Sequence, residues 1–309
     1  MGRRRIAAGL PSGRRPFVAC AVLLAGVGLV ACHGGPGGPS ATVSPLSGPT
    51  TTTSTVPASP EQVSVPSDAP SAAARITAVE RALRSPATPA AQIPALGWEQ
   101  QAIYRALAGN PSWLPEVVAA VPPDVATIVT ANTGGGSSIS ALLDPPATLP
   151  TSWRIVTPAP AASLLAAYHE AEAASGIPWT YLAAINLVET RMGRIVGDST
   201  AGAQGPMQFI PSTWRAYGRG GDVHDPRDAI LAAGRYLAAA GGPKDMDAAL
   251  RAYNHADAYV DAVKRYASVM AADERAFLGY YQWQVLFRTT DGLFLLPEGY
   301  PAVAAVRVS

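Results

Sequence analysis

Cysteine is nearly missing from this 309-residue chain: it has two, Cys20 and Cys32. Beyond residue 32 the chain can therefore form no disulfide, and it offers no thiol nucleophile and no cysteine ligand for a metal. An excess of charge is lacking as well. Lys and Arg number 23 against 22 Asp and Glu, a formal net charge of +1, which leaves no basic footprint for nucleic acid. An uncharged partner such as a neutral glycan fits this balance better. With only four histidines, no metal site is expected, and no cofactor. Glycine and proline, at 29 each, are abundant and point to a disordered portion. The remaining length, with 48% hydrophobic residues overall, suffices for one or two domains with a real core.

The first 32 residues read as an export signal. Arg3, Arg4, Arg5, Arg14 and Arg15 form a basic start, and "PFVACAVLLAGVGLVAC" supplies an apolar stretch that is short for a membrane-spanning helix. Its end, Leu29-Val30-Ala31-Cys32, resembles the lipobox of bacterial lipoproteins, in which the thiol takes a diacylglyceryl group and cleavage precedes the cysteine. This implies lipidation at Cys32 and an exported protein anchored to the outer face of the cytoplasmic membrane. The alternatives are a plain signal peptide with a chance cysteine, or an N-terminal membrane anchor. Residues 33–70 carry almost no large apolar side chain and read as a flexible tether.

Helical patterning begins at Ser71. "SAAARITAVERALRS" has a Ser as its cap with Ile76, Val79 and Leu83 at helical spacing, and "GWEQQAIYRALAGN" stops at Gly109. Two further short helices, broken at Pro122-Pro123, complete a helical N-terminal subdomain over 71–156, read as a packing platform. From 157 to 275 the chain is again helical: an Ala-rich helix from Pro158 to Ser175, and another with Pro178 at its first position. A short helix at 212–218 follows. Next comes a helix capped by Asp225, with Asp228 echoing a capping box, and then one long helical stretch from Asp245 to Phe277. The tail, 276–309, alternates in β-prone residues about Thr290-Asp291-Gly292, a hairpin signal. The expected fold is mainly α.

One carboxylate stands out. Glu189 follows Leu182, Ile185 and Asn186 at helical spacing, so it falls on the apolar stripe of its helix, close to the negative end of the helix dipole. Both effects favour the neutral acid, the form a general acid needs at working pH. The competing reading is a structural Glu paired with Arg191 or Arg194. The loop that follows, "DSTAGAQGPMQF", is small, polar and nearly uncharged. Gly202 and Gly205 permit unusual backbone angles, and Gln204 and Gln208 offer amides for a neutral sugar.

Glu189-Thr190, Ser199 to Gly205, Gly205-Pro206-Met207-Gln208 and Ala252-Tyr253-Asn254 occur in this order. As a set they resemble the lysozyme-like lytic murein transglycosylases, of the soluble-lytic and membrane-bound type and their actinobacterial lipoprotein branch. The resemblance covers about 157–270 and implies a lysozyme-like catalytic domain over 157–275 acting on peptidoglycan glycan strands. It also implies roles: Glu189 as sole general acid/base, and Ser199 and Gln208 hydrogen-bonding near it or near the sugar's acetamido group. Met207 would form groove wall, and Tyr253 and Asn254 would fix the carboxyl and contact substrate. Pro206 stands where soluble members commonly have Leu, and Ala256 where Gly is usual. An Asp-rich calcium insert of related sequences is reduced to Asp222, Asp225 and Asp228, better read as capping residues.

With one well-placed carboxylate, the expected chemistry is cleavage of the MurNAc-β-1,4-GlcNAc bond with closure of a 1,6-anhydro ring by the sugar's own 6-hydroxyl. Two other readings stay open: a muramidase that uses water, with Asp198 as base, and a non-catalytic wall-binding scaffold.

Overall fold

The computed structural model describes residues 59–142 and 144–308. The expected export signal, Cys32 and the expected tether as far as residue 58 lie outside the described residues. The end of the expected tether is tied down: Pro60–Gln62 form one 3-10 turn, and Arg75 donates to the Ser64 carbonyl at 2.8 Å. Helix α1 (Ala69–Arg84) starts two residues before the expected Ser71. Its cap is Asp68, whose Oδ1 accepts from the Ser71 N–H at 2.7 Å, because a carboxylate one turn upstream reaches the free amide.

Three more helices build the N-terminal part: α2 (Ile93–Gly109), α3 (Trp113–Ala120) and α4 (Pro123–Ser140). The break at Pro122-Pro123 is where expected, but α4 is not short. It runs through Gly134-Gly135-Gly136, a sequence of poor helix propensity. Packing overrides that cost. A Cβ at Gly134 would sit 2.7 Å from Arg265 Nη1, and one at Gly135 would sit 3.0 Å from Tyr266 Cζ, so the glycines let α4 lie flat on a later helix.

A two-residue strand, β1 (Arg154–Ile155), leads to α5 (Ala161–Ser175), which ends at Gly176 in the left-handed conformation. Pro178 is the N-cap of α6 (Trp179–Thr190), one place before the expected first turn. β2 (Ile195–Val196) returns antiparallel to β1. Then follow α7 (Pro211–Tyr217), α8 (Pro226–Ala239), α9 (Met246–Tyr253) and α10 (Asp257–Ala272). The expected single helical stretch from Asp245 to Phe277 is thus interrupted twice, after Tyr253 and after Ala272. Asn254 makes the first break by accepting the Ala256 N–H on its own side chain, 3.1 Å, in place of the helical bond. At α8, Asp225 caps as expected, whereas Asp228 bonds the Asp222 N–H instead of closing a capping box.

Helix α11 (Ala276–Gln282) packs on α1, α2 and α6, so these residues belong to the helical body and not to a tail. The hairpin is present: β3 (Val285–Thr289) pairs with β4 (Gly292–Leu296) across Thr290-Asp291, and β5 (Val306–Arg307) adds to β4. One hydrophobic core runs without interruption from α1 to Trp283, joining the N-terminal helices to the later ones chiefly through α4 against α10. A smaller cluster, built from Trp153, Ile155, Ile195, Phe287, Leu296 and Tyr300, lies between the short ribbon and the hairpin.

Candidate active site

Helix α6 buries its entire last turn: Asn186, Leu187, Val188, Glu189 and Thr190 are all inaccessible. The helix end is sewn to the following loop by side chains. Asn186 Nδ2 and Thr190 Oγ1 both donate to the Pro206 carbonyl, at 2.8 and 2.6 Å, and Thr190 Oγ1 also accepts from the Gly193 N–H. Tyr168 holds the other end of the Asn186 amide at 2.6 Å. Backbone strain collects here. Three of the four non-glycine residues described with positive φ are Arg191, Met192 and Gln208, which cluster at the helix end and its loop.

Glu189 has an exposure of 0%. Its Oε1 accepts from the Tyr259 hydroxyl at 2.8 Å, and its Oε2 has no hydrogen-bond partner. Burial pushes the carboxyl up to about 8, with the Tyr259 bond opposing the shift. No charged side chain enters that balance. Arg191 instead donates to the Leu187 carbonyl and Arg194 to the Tyr281 carbonyl, so the structural ion pair considered from sequence does not form. A buried carboxyl kept neutral by desolvation, with one oxygen free, is a proton donor in waiting.

The loop residues divide between support and exposure. Ser199 Oγ accepts the Ala201 and Ala203 N–H groups, at 3.2 and 3.0 Å, and so shapes the loop. Gln204 pairs its backbone with Phe209 in an antiparallel bridge, and its side chain reaches Asp198 at 3.4 Å. Met207 is fully buried in the core, beneath the loop, rather than forming an exposed wall. Its carbonyl accepts from the Tyr253 hydroxyl at 2.6 Å. Tyr253 therefore holds the loop, and neither it nor Asn254 bonds the carboxyl. That contact belongs to Tyr259, which lies parallel to Tyr253 with ring centres 6.5 Å apart. Sequence reasoning missed Tyr259; its position one turn into the helix after Ala-Tyr-Asn was the available signal.

Gln208 Nε2 donates back to the Gly205 carbonyl at 2.9 Å, leaving Oε1 buried and unpartnered, and Asn254 Nδ2 is likewise unpartnered. Gln208 and Tyr253 border an open cleft with Phe209, Ile210, Thr213, Tyr236, Ala252 and His255. The cleft is lined by aromatic and small side chains with no Asp, Glu, Lys or Arg, a lining suited to sugar faces. Asp222, Asp225 and Asp228 are occupied with backbone N–H groups of their own loop and helix. Among the described residues no group of three or more His, Cys, Asp or Glu side chains is placed to hold a metal ion.

Residues 166–275 match the family model of the transglycosylase SLT domain. That segment runs from within α5 to just past α10, and it contains Glu189, Tyr259, the whole glycine-rich loop and Ala252-Tyr253-Asn254. The SLT domain supports a lytic transglycosylase family and peptidoglycan as the substrate class. No curated protein and no solved structure matches the chain.

Proposed function

We propose that the protein is a peptidoglycan lytic transglycosylase in which Glu189 alone serves as acid and base. The observation that carries this reading is the state of that carboxyl: buried, neutral to about pH 8, and bonded through one oxygen only. Glu189 protonates the oxygen leaving towards N-acetylglucosamine, and the muramic acetamido oxygen supports the anomeric carbon as the bond breaks. The resulting carboxylate, held by the Tyr259 hydroxyl, takes the proton from the sugar's 6-hydroxyl as that oxygen closes on the anomeric carbon. Glu189 ends protonated, as it began, and no water is consumed. An intramolecular hydroxyl has a large advantage over water in effective concentration.

A hydrolase of the lysozyme type would need a second carboxyl, roughly 5–9.5 Å from the first according to its stereochemistry. No acid perturbs Glu189 electrostatically, and Asp198 is exposed and engaged with Gln204. The transglycosylase route is therefore favoured over the muramidase one. The strained, hydrogen-bonded setting of Glu189 argues equally against a scaffold that has merely kept the fold. Since Glu189 is fully covered, substrate contact requires the side chains above it to shift on binding.

We further infer that the enzyme is exported and lipid-anchored at Cys32, on the strength of the Leu29-Val30-Ala31-Cys32 box. The catalytic reading is tested by comparing Glu189→Gln with Asp198→Asn. Glu189→Gln should lower wall-lytic activity by about 10²–10⁴-fold with the fold intact, and Asp198→Asn should retain most of it. Near-normal activity in folded Glu189→Gln would refute the assignment.

A further inference from the structure

Among the described residues five arginines are answered by a carboxylate: Arg75 by Glu99, Arg84 by Glu80, Arg227 by Glu170, Arg251 by Asp257 and Arg265 by Asp261. Of the half-buried ones that lack such an ion pair, two border the same hollow. Arg105 on α2 and Arg191 at the end of α6 line a cavity of about 50 Å³ together with Gln101, Asn132, Thr133 and Trp283.

Among the described residues no acid reaches either guanidinium. Arg191 donates to a backbone carbonyl and lies 5.8 Å from the centre of the Trp283 ring. Arg105 feels, besides desolvation, only the like charge of Arg288, and both effects push its pKa down. A partly desolvated cation without a counter-ion is costly, and the cost is removed by an anion. Two more donors are available. Thr133 Oγ1 and Asn132 Nδ2 are buried without a hydrogen-bond partner, in residues 5% and 2% exposed. The Asn132 amide presents its nitrogen because its oxygen is taken by the Tyr280 hydroxyl; the nitrogen lies beside the Tyr104 phenol without bonding geometry.

The two guanidiniums, the Asn132 amide nitrogen and the Thr133 hydroxyl can thus all donate to a group in the hollow. Its size selects among anions. At roughly 10–15 Å³ for each enclosed water, it takes a carboxylate-sized group and no sugar ring. The rest of the wall mixes the Tyr104 and Tyr266 phenols with apolar side chains, among them Leu286 and Leu293 from the hairpin.

We propose that this hollow binds the carboxylate end of a short peptide, and that the peptide is a stem peptide carried by the glycan. The choice of source rests on the proposed function, since stem peptides bring carboxylates to a glycan that is otherwise uncharged. Position favours it too: Arg191 lies two residues past Glu189, so the hollow and the acid share one helix end.

Calorimetric titration of the full chain tests the proposal without any cleavage. The ligands are a free stem peptide, the same peptide with all its carboxylates amidated, and inorganic phosphate. The free peptide should bind, and amidation should weaken binding at least about tenfold, the scale of a hydrogen bond to a charged group. Arg105→Gln and Thr133→Val should each weaken the free peptide by about tenfold and leave the amidated one unchanged. Equal affinity for both peptides, or no loss in a folded variant, would overturn the proposal. Phosphate binding without peptide binding would do so as well, by marking a general anion hollow. Should Arg105→Gln fail to fold, Thr133→Val and the two peptides on the unaltered protein still decide. A protein that binds the peptide yet forms no anhydro ends would contradict the catalytic reading alone.

Discussion

Burial of Glu189 links its proposed catalytic role to stability through the proton. An exposed glutamate releases its proton near 4.5, whereas Glu189 holds it to about 8. Between those values the folded chain binds more protons than the unfolded one, so this group's contribution to stability is complete below about pH 4.5 and is lost as pH rises towards about 8. Glutamine keeps the shape, stays uncharged at every pH and can still accept from Tyr259. Thermal melts should therefore find Glu189→Gln close to the unaltered protein at about pH 4 and more stable at about pH 8.5. A constant difference across that range would mean that the carboxyl is not the neutral, desolvated group described. The stripe position of Glu189 was legible from residue spacing. Tyr259 was not, because it approaches the acid from a helix 70 residues away and only the packing of α10 on α6 brings them together.

At the scale of elements, the site is a helix end and a loop locked to each other. Gly205 occupies the point of closest approach, with φ at +72°, and a Cβ there would fall 1.9 Å from the Val223 carbonyl oxygen. Left-handed backbone costs a non-glycine residue about 1–2 kcal/mol, and the clash with backbone adds to this. Gly205→Ala should lower stability in urea unfolding by more than about 2 kcal/mol and depress activity, because the turn carrying Met207 and Gln208 must shift. Stability within a few tenths of a kcal/mol of the original would contradict the close packing. The motif order in the sequence disclosed this loop, but not how its parts divide. Ser199, Met207 and Tyr253 look like substrate contacts in a linear reading; in three dimensions Ser199, Met207 and the Tyr253 hydroxyl hold the loop, while Tyr253 also borders the cleft. Helix α4 was legible only in part, since its three glycines argue against a helix until the faces of Arg265 and Tyr266 are in place.

For the whole molecule, the continuous core makes the N-terminal helices one body with the helices that carry Glu189, although their sequence carries no motif. Composition showed the class, mainly α, because apolar spacing repeats over most of the chain; it could not show that α4 and α10 share one interior. The Leu29-Val30-Ala31-Cys32 box carries the proposed setting at the membrane surface. Cys32→Ala should move the protein from the membrane fraction to the soluble one, or leave it unprocessed; unchanged size and membrane association would count against lipidation. The central claim is that one buried carboxyl suffices because the sugar supplies its own nucleophile. Mass spectrometry of purified peptidoglycan after digestion by the full chain tests it most directly. The account predicts 1,6-anhydromuramic ends as the main product, while reducing muramic ends in their place would mean that water attacks and that the mechanism is wrong.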